Sequence, residues 1–352
     1  VKYDVNGNAL WARGAADATG DDISYSVTTD ASGNAYIAGL FSGSSITFGS
    51  FTLTNAGGSC PSAGDACSDM FLVKYDSSGT VIWAKKGGGT DIDQASSVAV
   101  DASGNSYVVG FFDSPSITFG STTLVNSNSS YDLFITKYDP FGNVIWAKGG
   151  GDIGAEKTTS VAVDVSGNAY VAGWFQSPSI TFDATTLTNA GGSCFGGCAD
   201  VFITKYDING NVVWARQAGG TDRDDAVSIA IDLSGNTYIT GVYFSSSITF
   251  GSTTLTNSGG SDIYAAKYNN AGNVIWAAKS GGTSESYSTS VCTNASGDIY
   301  LAGYFYTPSV NFGATTLSSA GTYDVCIAKL ENPVGIESNV RDNFFSIVPN
   351  PS

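Results

Sequence analysis

Acidic side chains crowd the glycine-rich stretches of this sequence. They are Asp17, Asp21 and Asp22; Asp91 and Asp93; Asp152 and Glu156; Asp222, Asp224 and Asp225; and Glu285. Close carboxylates in such loops can bind calcium through their oxygens. No EF-hand-like spacing is present, so calcium and plain solvated charge both stay open, and the expectation is no cofactor. A glycosidase needs one pair of carboxylates flanking the bond it cuts. No singular Asp/Glu pair stands out, because the acids recur from stretch to stretch, and the expectation is a protein that is not an enzyme. The sequence has no histidine. That removes a Ser–His–Asp triad, a Cys–His pair and any His-bearing zinc site.

Six cysteines supply the other reactive groups. Cys60 and Cys67 share one loop, and Cys194 and Cys198 share the equivalent loop of another repeat. Two local disulfides, Cys60–Cys67 and Cys194–Cys198, are the natural reading, and they fit an oxidising compartment. A metal held by Cys194-x-x-x-Cys198 is the weaker option, with only two thiols per loop. Cys292 and Cys326 fall on the first and third strands of the last repeat. Strands two apart lie roughly 10 Å from each other, beyond the ~7 Å a disulfide tolerates. Two buried free thiols are therefore expected.

The elements that position these groups repeat along the chain. Gly-x-x-x-Trp-Ala segments end at Trp11, Trp83, Trp146, Trp214 and Trp276, spaced 72, 63, 68 and 62 residues apart. Between them runs Ser97-Val98-Ala99-Val100-Asp101-Ala102-Ser103-Gly104-Asn105-Ser106-Tyr107, with equivalents from Ser26, Ser160, Ser228 and Ser290. A third segment, Asp132-Leu133-Phe134-Ile135-Thr136-Lys137-Tyr138, recurs from Asp69, Asp200, Asp262 and Asp324. Short β-branched and aromatic runs bounded by Gly, Asn and Asp predict four strands per repeat. Asp-x-x-Gly-Asn joins the strands pairwise: Asp opens the turn and Gly supplies positive φ. Those aspartates read as structural.

Four antiparallel strands repeated five times predict an all-β protein, a five-bladed β-propeller spanning 1–330. The N-terminal strand from Ala9 to Arg13 is expected to close the last blade, which lacks a tryptophan strand. One detail disagrees: Val1-Lys2-Tyr3-Asp4 looks like the tail of another third strand. Between the second and third strands, Ser116-Ile117-Thr118-Phe119 to Leu124 alternates apolar and polar residues, which predicts an extra hairpin in every repeat.

These segments resemble the SBBP β-propeller repeats of bacterial surface and secreted proteins, over roughly residues 5–330. The resemblance implies the fold and no particular reaction. Residues 331–352 read as a linker, with Phe344-Phe345-Ser346-Ile347-Val348-Pro349-Asn350-Pro351 resembling the start of a type IX secretion sorting domain. That implies export from a Bacteroidetes-type bacterium by the type IX machinery, to the outer cell surface or the medium.

The net charge of −16 repels nucleic acid and anionic membranes. No stretch is long and apolar enough to span a bilayer. The expected function is non-catalytic binding or adhesion, with an extracellular glycan or protein as partner. A structural subunit of a filament or surface layer, formed by self-assembly, is the alternative. A polysaccharide-active enzyme stands third.

Overall fold

The computed structural model describes residues 1–15, 20–57, 67–126, 128, 130–191, 197–294, 297–306 and 308–330, with the backbone of 345–346. Every regular element among them is a β-strand. The chain forms two compact units, Val1–Gly167 with Ile208–Gly210, and Asn168–Asp207 with Asn211–Ser352.

The first unit holds two four-stranded antiparallel sheets. One joins Asp22–Thr29, Ala35–Phe41, Asp69–Tyr75 and Val81–Gly87 in chain order; the other joins Asp93–Val100, Ser106–Phe112, Asp132–Tyr138 and Val144–Gly150. Strand Glu156–Val163 belongs to the same unit. In the second unit, Ala169–Phe175, Asp200–Tyr206 and Val212–Gly219 are successive neighbours. Asp224–Ile231, Thr237–Tyr243, Asp262–Tyr268 and Val274–Gly281 form the next sheet. Ser286–Thr293, Ile299–Tyr306 and Tyr323–Leu330 form the last, with Phe345–Ser346 on its edge.

The turns take the form the Asp-x-x-Gly-Asn pattern demands. Asp101 Oδ1 accepts the N–H groups of Ser103 and Asn105, and its Oδ2 accepts the Asn105 side-chain amide. Gly104 sits at φ +82° and closes the turn. Asn8 and Ser78, bonded to Asp4 and Asp76, hold those two turn carboxyls below the usual range. These aspartates are consumed in holding the backbone.

Sheets stack through apolar residues that point off both faces. Tyr36, Met70 and Leu72 of the first sheet share a core with Val98, Val108 and Phe134 of the second. Tyr238, Ile263 and Ala265 meet Val291, Leu301 and Cys326 in the same way. Each fully buried apolar side chain contributes about 1.5–3 kcal/mol. Tryptophan fixes the register of each stack. The Nε1–H of Trp11, Trp83, Trp146 and Trp214 donates to the carbonyls of Ser77, Pro140, Ile208 and Asn270, each at 3.1 Å. The glycine of the receiving turn gives the indole room: a methyl at Gly79 would lie 2.7 Å from the Trp11 ring.

The expected extra hairpins are present. Ser116–Phe119 pairs with Thr122–Val125, and each repeat has a counterpart. Their apolar side is core, with Ile117 and Phe119 fully buried. Their outer side carries a hydroxyl pair, such as Thr118 and Thr123 at 3.0 Å. Two of these hairpins also pair with the edge of a fourth strand, Ala218 with Phe250 and Ser280 with Phe312. An edge covered in this way offers no template to another chain.

The N-terminal strand corrects one expectation. Ala9–Trp11 does not pair with the last sheet; it pairs with Lys2–Tyr3, with Lys2 opposite Trp11 and Tyr3 opposite Ala9. Lys74 opposite Trp83 and Tyr75 opposite Val81 have the same register and the same bulge. Residues 2–11 are thus the third and fourth strands of a further repeat. A tight turn through Gly7 joins them, so their pairing closes a far shorter loop than one with the last sheet.

Candidate functional site

Each inter-repeat loop delivers the chain into the first strand of the next sheet. The first residue of that strand is clasped by its backbone. Asp93, Glu156, Asp224 and Ser286 donate their N–H groups to the carbonyls of Ser68, Tyr131, Ala199 and Ser261, at 2.7, 2.7, 2.7 and 3.0 Å. The clasp turns the side chain inward, and Asp93, Glu156 and Asp224 are fully buried.

The buried acid then organises the loop above it. Asp93 Oδ2 accepts from the Gly89 N–H at 2.6 Å and from the Ser114 hydroxyl at 2.8 Å. Asp224 accepts from the Ser245 hydroxyl at 2.9 Å. Those serines in turn accept the N–H groups of Asp91 and Asp222, at 2.9 and 2.8 Å. Ser42 accepts the Asp21 N–H at 2.7 Å. In the third repeat Glu156 reaches the loop directly, accepting the Asp152 N–H at 3.2 Å. The side chains of Asp21, Asp91, Asp152, Asp222 and Glu285 are exposed. Among the described residues each repeat therefore presents one outward carboxylate in the same loop, and in the second and fourth repeats it stands on a buried Asp–Ser strut.

A second set of buried acids heads the third strands: Asp69, Asp132, Asp200 and Asp262. Asp69 Oδ2 accepts the Ala56 N–H at 2.9 Å and Lys86 at 2.6 Å. Asp262 accepts the Ser258 N–H at 2.8 Å and Lys279 at 3.1 Å. The Oδ1 atoms rest on glycine. A methyl at Gly88, Gly151, Gly219 or Gly281 would come within 2.0, 2.1, 2.0 or 1.7 Å of them. As a sequence pattern these aspartates mark strand starts only; the signal that they are buried is their fixed place directly before an apolar run such as Leu133-Phe134-Ile135.

Burial dominates the electrostatics. Together with the neighbouring Asp69 charge, it pushes the Asp93 carboxyl up to about 8. Burial likewise pushes Asp132, Asp200 and Asp224 up to about 7. Raised carboxyl pKa values also mark catalytic acids. Asp93, Asp200 and Asp224 have no exposed surface.

The expected binding acids thus separate. Asp21, Asp91 and Asp222 are exposed, and Asp22 is half-buried. Asp93, Asp224 and Asp225 are buried, which corrects their reading as loop-surface groups; Asp225 pairs with Arg223 at 2.8 Å. Asp17 lies outside the described residues. Among the described residues no three Asp, Glu, Cys or His side chains gather as a metal-ligand set. Cys292 and Cys326 are free thiols. Cys326 is buried, but Cys292 is exposed, contrary to expectation, because its side of the last sheet's first strand is open. Ile299–Tyr306 pairs with both of their strands and separates them. Cys60 and Cys194 lie outside the described residues, and so do the pairings expected of them.

Among known proteins, the SBBP β-propeller repeat family matches residues 213–242. An uncharacterized WD repeat-containing protein, L264, of Acanthamoeba polyphaga mimivirus is 26% identical over 92% of this chain and 27% of its own length. The regulatory protein FlaEY of Caulobacter vibrioides is 30% identical over 46% of this chain and 17% of its own. The chain therefore spans well under a third of either relative. The WD40 domain of Neurospora crassa Pan2 aligns with 79% of this chain and 74% of its own, at 10% identity and a TM-score of 0.37. With its successive antiparallel sheets and this repeat match, the chain is a β-propeller repeat protein. Among the described residues no helix is long and apolar enough to cross a membrane.

Proposed function

We propose that the chain is a secreted or cell-surface β-propeller that works as a non-catalytic binding or adhesion module. The observation that carries this is the division of labour among its acids. Those that recur at strand starts are buried supports, and one per repeat is held outward in the same loop. Such outward carboxylates suit an extracellular protein or glycan that carries positive charge.

The proposal extends to the finer features. The five repeats are read as five blades, and Cys60–Cys67 and Cys194–Cys198 as disulfides formed after export. Residues 344–352 are read as a type IX sorting segment that engages that secretion machinery in a Bacteroidetes-type cell.

The test is retention on immobilised basic proteins and amine-bearing glycans. Wild type is expected to bind in a salt-sensitive manner. The variant D21N/D91N/D152N/D222N/E285Q is expected to pass through. Absence of any retained ligand, or equal retention of the variant, sinks the reading.

A further inference from the structure

The four buried acids that head third strands are not equally served. Asp69 and Asp262 each meet an ammonium, Lys86 at 2.6 Å and Lys279 at 3.1 Å. Both lysines hold one register position of the fourth strand: Lys86 stands opposite Phe71, and Lys279 opposite Tyr264. The same position holds Gln217, opposite Phe202, in the sheet of Asp200, and Gly149, opposite Phe134, in the sheet of Asp132. Gln217 turns to the extra hairpin, where its amide donates to the Thr188 carbonyl at 2.5 Å and accepts the Thr188 N–H at 2.8 Å. Lys279 reaches the equivalent Thr256 carbonyl as well as Asp262. Gly149 has no side chain to send to either acceptor.

Gly149 therefore leaves a gap beside Asp132. The backbone does not require glycine there. Its φ lies outside the left-handed region, and a methyl would meet only Leu124 at 3.4 Å, the Leu133 carbonyl at 3.6 Å and Leu124 again at 3.7 Å, all ordinary contacts. Gly149 is exposed. Asp132 is 7% exposed, whereas Asp69, Asp200 and Asp262 have no exposed surface, so solvent reaches this acid alone of the four.

The Asp132 carboxylate is also short of partners. Its Oδ1 is buried and accepts no hydrogen bond. Among the described residues no basic side chain pairs with it. Lys157 is held over the rings of Phe111 and Tyr131, at 3.8 and 4.1 Å, and its charge acts on Asp113. Burial, then the charges of Asp152 and Asp113, push the Asp132 carboxyl up to about 7. A carboxylate so placed is costly to keep ionised until a cation reaches it. The Val125 carbonyl, counterpart of those of Thr188 and Thr256, lies at the same hairpin position. The gap thus offers the pair of acceptors that Lys279 uses in its own repeat.

We infer that the gap at Gly149 receives the ammonium of a lysine side chain from a protein partner, in the place that Lys86 and Lys279 fill in their own repeats. A compact three-donor head on a flexible four-carbon stem suits a carboxylate and a carbonyl at the end of a narrow approach; the planar fork of arginine is larger. An amine set directly on a sugar ring lacks the stem. Asp113 and Asp152 lend the approach negative charge. This inference rests on the binding reading above and gives it a site.

The test is an NMR titration of the whole ¹⁵N-labelled chain with an N-acetylated peptide that carries one lysine. The Gly149 and Asp132 amide signals are expected to move and saturate, and the same peptide with its lysine acetylated should move neither. Gly149→Lys supplies the ammonium within the chain, and Asp132→Asn removes the charge. Each is expected to weaken peptide binding roughly tenfold or more. Gly149→Lys should also melt above Gly149→Met, which matches it in bulk without the charge. No response to the lysine peptide, unchanged binding in both variants, a response to glucosamine in its place, or no melting gain over Gly149→Met overturns the inference. If wild type is still retained on basic proteins, the binding reading stands without it. Loss of that retention as well sinks both.

Discussion

Val98 and Val27 occupy the same place in two copies of one repeat, yet one is 5% exposed and the other 67%. Both lie on first strands with a bulge two residues before them. What separates them is the neighbour. Val98 packs in one core with Tyr36 and Leu72 of the preceding sheet, while Val27 faces an open groove. Burial in a stack of repeats is therefore a property of the junction, and a repeat's own sequence does not set it.

The largest effect that would sharpen this contrast is charge insertion. Val98→Asp puts an unpaired carboxylate into a closed core and is expected to cost about 4 kcal/mol or more. Val27→Asp should stay within ~0.5 kcal/mol in dilute solution. Urea denaturation measures both, and comparable losses would break the comparison. Truncation comes next. Met70→Ala is expected to cost about 2–5 kcal/mol, whereas Val325→Ala, in the same position of the last sheet, should be nearly neutral.

Glycine makes a smaller version of the same test. Gly79 and Gly7 share a φ of +83°, but a methyl at Gly79 meets Trp11 whereas one at Gly7 meets nothing within 4 Å. Alanine at either site carries the backbone strain, and at Gly79 it should add about 1–3 kcal/mol for crowding the indole. Equal melting shifts for the two variants would show that the indole yields freely.

A separate test of the covered junctions is pH dependence. Asp93 belongs to a covered junction, and its carboxyl is raised from 3.8 to about 8. The folded state therefore holds a proton that the unfolded chain releases. Its contribution is fully present below about pH 3.8 and is lost as pH rises through about 8. The melting midpoint should fall between these limits, and the fall should be shallower in Asp93→Asn. An unchanged slope would show that Asp93 is already ionised in the folded protein.

Much of this fold is legible in the sequence, for local reasons. Val-Ala-Val runs and Asp-x-x-Gly-Asn turns specify strands and hairpins without reference to distant parts. The alternation Ile117-Thr118-Phe119 likewise specifies the extra hairpin. The acids were harder to read. Asp91 and Asp93 are two residues apart in one loop, and only the backbone clasp from Asp93 to Ser68 decides which turns inward. Cys292 stands where Ala99 and Ala162 stand, and its exposure follows from an uncovered face that no single repeat encodes. The Lys2–Tyr3 pairing was visible in principle, because Val1-Lys2-Tyr3-Asp4 copies the end of a third strand, but closure by Ala9–Trp11 looked the simpler use of an edge.

The clasp itself bears on how such a chain can change its length over generations. It runs from backbone to backbone, and the residues accepting it are Ser68, Tyr131, Ala199 and Ser261. A connection that reads no side chain does not need to be reinvented when a repeat is duplicated or lost. Removing residues 84–146 would join Trp83 to Ala147, the dipeptide that also stands at Trp11, Trp146, Trp214 and Trp276, and leave each remaining junction with a donor and an acceptor. Repeat number can drift by whole units while the joints between them stay the same.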